Sequence, residues 1–156
     1  MSIAPLELLA GLAPADCAAV LALGTETHLA GGQVLFDLGA DAANLYVVKQ
    51  GLIALTLPMD VRGQAQDVLI EERGPGQTVG WSALIPPHRF TLKATAPLGT
   101  DLLVLPRQAL ADYLDTHPVA GYQVTRNVAA IVGERLQVFQ AMWLRQMQRV
   151  VKLTYP

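Results

Sequence analysis

Residues 30–55 read AGGQVLFDLGADAANLYVVKQGLIAL. Three short runs, QVLF, NLYVVK and LIAL, carry Val, Ile, Leu and aromatic side chains and are parted by Gly39, Asp41 and Gly51. Such runs between turn residues read as β-strands, and the glycines between them supply backbone angles that other residues resist. The same rhythm runs outward to THL at 27–29 and forward through QDVLIEE, TLKATA and DLLVLP, with further turns at Gly31-Gly32 and Gly74-x-Gly76. Short strands at close, even spacing predict a mainly β domain with flanking helices. Its body is an antiparallel jelly-roll-like β barrel, a double-stranded β-helix, over 26–106, and not a set of βαβ units. PMDVRGQ, at 58–64, is expected to be an exposed hairpin loop.

Helical patterns flank this region. Pro14 suits the first turn of a helix carrying Cys17, Val20 and Leu21, with Gly24 at its stop. After Pro106, RQALADYL predicts a short helix, and a single long one is expected over 117–151, with Pro118 near its start. Val128, Val132, Leu136, Phe139, Trp143, Met147 and Val150 recur every three or four residues along it. A helix of this length outruns a small barrel, so the stripe is expected to pair with its own copy. The expected homodimer seam is Val128, Val132, Leu136, Phe139 and Trp143. Gly133, costly inside a helix, fits a face where another backbone comes close.

Composition narrows the class. The chain has 156 residues, 52% of them hydrophobic and 15% charged, enough for one well-packed domain spanning 1–156. A net charge of −2 offers no general attraction for nucleic acid or anionic lipid. No run of residues is long and apolar enough to span a bilayer, and MSIAPLELLAGL lacks a signal peptide's basic start, so a cytoplasmic protein without membrane attachment is expected. Cys17 is the single cysteine, which excludes an intrachain disulfide and a cysteine-based metal cluster.

The order of these pieces resembles the cyclic-nucleotide-binding domain family, in particular the sensor half of the bacterial catabolite activator superfamily. Two stretches carry the resemblance, AGGQVLFDLGADAANLYVVKQGLIAL and ERGPGQTVGWSALI, and it extends over almost the whole chain. It implies that VGWSALIPPHRFT, residues 79–91, is the phosphate-binding cassette. In the family a Gly-Glu pair opens a short helix there, the Glu accepts the ribose 2′-hydroxyl, and a later Arg neutralises the cyclic phosphate. Gly80, Ser82, Ala83 and Leu84 match, but Trp81 stands in place of the Glu, and an indole cannot accept a hydrogen bond from a hydroxyl. His88 falls at the Arg position and Arg89 one residue late. On the long helix, Phe139 and Gln140 replace the small hydroxyl residues that approach the base.

The candidate ligand-binding residues are therefore Gly80, Trp81, Ser82, Ala83, Leu84, His88, Arg89, Phe90, Thr91, Phe139 and Gln140. The resemblance implies a cyclic nucleotide or another phosphate-bearing ligand, while the substitutions argue against ordinary cAMP binding. The superfamily's winged helix-turn-helix is not expected after VVKLTYP, and with it no DNA binding.

A cupin-like metalloenzyme would need several converging ligands. His28, His88 and His117 are the only histidines and show no paired-ligand spacing. Ser82 lacks a G-x-S-x-G context, so neither a catalytic residue nor a metal site is expected. Two non-catalytic readings fit. In one, the domain senses an anionic or nucleotide-like ligand and shifts its long helix. In the other, Trp81 and Phe139 plug the pocket, and the dimer is a ligand-free interaction module for another protein.

Overall fold

A computed structural model describes residues 5–155. Eight strands form between Thr25 and Pro106: β1 (Thr25–Leu29), β2 (Val34–Phe36), β3 (Asn44–Gln50), β4 (Ile53–Val61), β5 (Gln64–Arg73), β6 (Thr78–Val79), β7 (Lys93–Thr95) and β8 (Thr100–Pro106). All pairings are antiparallel, in two four-stranded sheets ordered β1-β8-β3-β6 and β2-β7-β4-β5. The jelly-roll-like arrangement is the expected one, but the two sheets face each other and do not join into a closed barrel. Strand β6, only two residues long, gave no periodic signal in the sequence.

The run that decided the fold lies at the centre. Leu45, Tyr46, Val47 and Val48 of β3 are all buried, so both faces of this strand are covered and its sequence loses the alternation of a half-exposed strand. Between β3 and β4 the chain turns at Gly51, whose φ is +92°. A Cβ there would come within 2.6 Å of the Gly99 carbonyl, so only glycine fits. Thr100 Oγ1 closes the corner, accepting from the Leu52 amide at 3.0 Å.

The expected loop over 58–64 is mostly strand. Pro58, Met59, Asp60 and Val61 pair with Asp67, Gln66, Ala65 and Gln64, and only Arg62-Gly63, both with positive φ, form the turn. That two-residue turn matches the twist of the flanking strands, which lets the ladder run to its end. The segment is exposed, as expected.

Three helices complete the fold: α1 (Pro14–Ala22), α2 (Arg107–Thr116) and α3 (Pro118–Thr154). Pro14 opens α1 and Pro118 opens α3, each where a missing amide costs nothing. A single turn at Glu7–Leu9 precedes α1 and is clipped to α3 by Asn127, whose Nδ2 donates to the carbonyls of Leu8 (2.8 Å) and Ala10 (2.9 Å). Tyr113 of α2 donates to Asp16 of α1 at 2.6 Å, and this bond holds the phenol above the ordinary tyrosine range. No helix among the described residues is long and apolar enough to cross a membrane.

Candidate functional site

The cassette is built around Gly80. Its φ of +81° turns the chain from β6 into a 3-10 turn, Trp81–Ala83, and a Cβ there would lie 3.0 Å from the Phe90 ring. Gly80 thus performs the tight turn expected of it, while the short helix that the resemblance implies is a single 3-10 turn over Trp81–Ala83.

The space in front of this turn is filled. Phe36 of β2 and Phe90 stack face to face, with centroids 3.5 Å apart and planes 7° from parallel, and Tyr46 stacks on Phe36 at 5.9 Å. Burial holds the Tyr46 phenol above the ordinary tyrosine range. The remaining cavity, lined by Phe36, Leu55, Gly80, Trp81, Ser82, Phe90, Thr91, Leu92 and Arg135, measures about 10 Å³. That is room for roughly one water molecule.

The expected site residues do not all converge there. Gly80, Trp81, Ser82, Phe90 and Thr91 line the cavity. His88 Nδ1 instead donates to the Ser82 carbonyl at 3.2 Å, bracing the cassette from behind. Arg89 is exposed and reaches the Gly39 carbonyl at 3.4 Å. Ala83 is buried in the core, Phe139 packs against the core without lining this cavity, and Gln140 is exposed. Phe139, expected to plug the pocket, does not line this cavity, where Phe36 and Phe90 stack instead. Leu84 lies with Ile85 on a separate groove of about 410 Å³ between the cassette, α2 and α3. Its one charged lining residue is Asp115, which suits no phosphate.

The cavity's charged wall was not anticipated. Arg135 of α3, 7% exposed, donates to Glu71 of β5 through Nε (2.9 Å) and Nη2 (2.6 Å). Arg73 Nη1 lies 3.7 Å from the same Glu71 oxygen, and its Nη2 pairs with Glu7. Glu7 also accepts from the Thr78 amide at 2.8 Å. Two guanidinium groups and two carboxylates so form a self-neutralised chain from the N-terminal turn through β5 to α3. A bulge sets it up: Leu55 pairs with Glu71 and Thr56 with Leu69, leaving Ile70 as an extra residue that re-aims Glu71. Spacing held the signal for Arg135. It follows Val124, Val128 and Ile131 at intervals of four and three, on the buried face of the helix.

The helix face also needs revision. Val128, 2% exposed, is inside this chain's own core, and Val132 and Phe139 pack against it. Leu136 and Trp143 remain open, at 58% and 65% exposure.

Comparison with known proteins agrees with this architecture. Residues 26–117 match the model of the cyclic nucleotide-binding domain, and the chain belongs to that family. The catabolite activator protein of Thermus thermophilus is similar in fold, with a TM-score of 0.71 and 25% identity over 91% of this chain and 63% of that one. The N-terminal domain of a transcriptional regulator from Streptomyces coelicolor A3(2) gives 0.68 and 27%, over 82% and 89%. Glutaminase 2 of Bradyrhizobium diazoefficiens is 32% identical over 130 residues, or 83% of this chain, which spans only 19% of that relative's length.

Proposed function

We propose that this chain is a non-catalytic regulatory module of the cyclic nucleotide-binding family that acts as a homodimer without an ordinary cyclic nucleotide. The closed pocket carries the reading. A nucleotide-sized ligand needs roughly 300–1,000 Å³, against about 10 Å³ at the cassette. Arg135, the cation in that wall, already has its carboxylate in Glu71. The helix that a ligand would hold in place is held by an internal ion pair.

Self-pairing uses the open face of α3. Ala129, Gly133, Leu136, Gln140, Trp143, Met147 and Val150 follow the alternating four-three spacing of a two-stranded seam. A Cβ added at Gly133 would meet nothing within 4 Å, so the small residue leaves free space for a second backbone. The likeness to a fifth of a glutaminase supports a module that serves a larger enzymatic polypeptide, as part of it or as its partner.

Calorimetry with cAMP, cGMP and cyclic di-GMP tests the pocket. No binding heat at micromolar concentration is expected for the native protein, nor for Trp81→Glu, because restoring the ribose acceptor leaves Phe36, Phe90 and the Glu71–Arg135 pair in place. Micromolar binding of any of the three to the native protein would overturn the closed-pocket reading.

A further inference from the structure

Met142 is the last α3 residue packed against the core. From Trp143 onward every described residue is exposed, and the helix runs on to Thr154, about 18 Å at 1.5 Å per residue. This projection carries two apolar rows. Trp143, Met147 and Val150 continue the self-pairing seam. One step round the helix, Leu144, Gln148 and Val151 repeat the four-three spacing, and Tyr155 follows as the C-cap just beyond the last turn. Leu144 and Val151 are each 53% exposed and Tyr155 78%. A two-stranded pair buries a single narrow row, whereas two adjoining rows are what a helix in a larger bundle buries. With the first row taken by the second copy, as proposed above, the second row stays uncovered.

Charge says what fits it. Arg145 and Lys152 directly follow Leu144 and Val151 and so border the same side of the row, with Arg149 beyond them. After Glu134 the sequence holds no Asp or Glu, although the whole chain has a net charge of −2. No ion pair is formed by these three cations among the described residues, and Arg145 meets only the Ala141 carbonyl, at 3.4 Å. Gln140, Gln148 and Thr154 interrupt both rows, and an amide or hydroxyl in mid-stripe finds hydrogen-bond partners on a helix and none in lipid hydrocarbon.

We propose that the Leu144–Val151 row is a docking face for an amphipathic helix of a partner protein whose apolar stripe is flanked by Asp and Glu. The proposal rests on the self-pairing reading for the occupancy of the first row. Fluorescence anisotropy of the native protein with a labelled three-heptad peptide tests it, using Leu at the stripe positions and either Glu or Lys at the flanks. The Glu peptide should bind at least about tenfold more tightly than the Lys peptide at low salt, a preference that salt erodes. Arg145→Glu with Lys152→Glu should reverse the preference, and Leu144→Ser with Val151→Ser should abolish binding, both with the dimer retained in sedimentation.

Equal binding of the two peptides, binding of neither, or insensitivity to the second-row variants would overturn it. So would association with phosphatidylglycerol vesicles in the absence of any peptide preference. A native monomer that still prefers the Glu peptide would refute self-pairing and leave this docking face standing. A dimer without preference would refute the docking face alone.

Discussion

Trp81 acts through the position Gly80 gives it. With the backbone turned left-handed at Gly80, the indole sits at the cavity wall, beside a stacked pair of phenylalanines. At Gly51 the backbone leaves no room for a side chain. Gly51→Ala adds a Cβ to a φ of +92° and brings it within 2.6 Å of a main-chain oxygen. A loss of about 1–3 kcal/mol is expected, read as a lower urea midpoint with unchanged slope. An unaltered midpoint would mean that the β3–β4 corner relaxes freely. Gly80 and Trp81 were legible in the sequence because a local motif fixes their places. Phe36 was legible as a strand residue but not as the pocket's occupant, since its partner Phe90 is far along the chain and their meeting depends on the packing of β2 against the cassette.

The strands and helices were legible for the same local reason: turn residues and apolar periodicity mark them. Exceptions have physical causes. Strand β6 is too short to show a period, and the β4–β5 ladder runs through polar residues because its far end faces water. Ionic partners across elements are the least legible, and Glu7, Arg73, Glu71 and Arg135 show why, since each alone reads as a surface charge. Joined, they link three elements in a nearly dry setting, where removing one member strands its partner's charge. Arg135→Met alone should cost about 3–5 kcal/mol, and Arg135→Met with Glu71→Leu less than the sum of the two single changes. A double-mutant cycle in urea measures this coupling. Strict additivity would show that α3 is held by its apolar contacts alone.

For the assembled protein, the quantity at stake is the stoichiometry. If the proposed self-pairing holds, replacing Leu136 by Glu places an uncompensated carboxylate in the middle of its seam, at a cost of several kcal/mol. Sedimentation should show a folded monomer, because Leu136 is exposed and makes no part of the chain's own core. Val128→Glu, by contrast, should unfold the chain, since Val128 is inside it. A dimer that survives Leu136→Glu would place the interface on another face. The apolar stripe was legible from helical spacing, but spacing alone could not tell that Val128 lies in the chain's own core while Leu136 and Trp143 stay open.

Strand order has a consequence in time. β8 lies between β1 and β3, so the first sheet lacks its middle until residues 100–106 have been made. At about 5–20 residues per second, β3 leaves the ribosome roughly 3–12 s before its neighbour does. During that interval Leu45–Val48, the most thoroughly covered run in the finished protein, has both hydrogen-bonding edges open until β6 is made, then one, and little to lie against. The β4–β5 hairpin, local and closed by a two-residue turn, can form at once and shield one flank. The nascent chain is thus most prone to mispairing between the completion of β3 and the arrival of β8, and the cell must carry it across that gap.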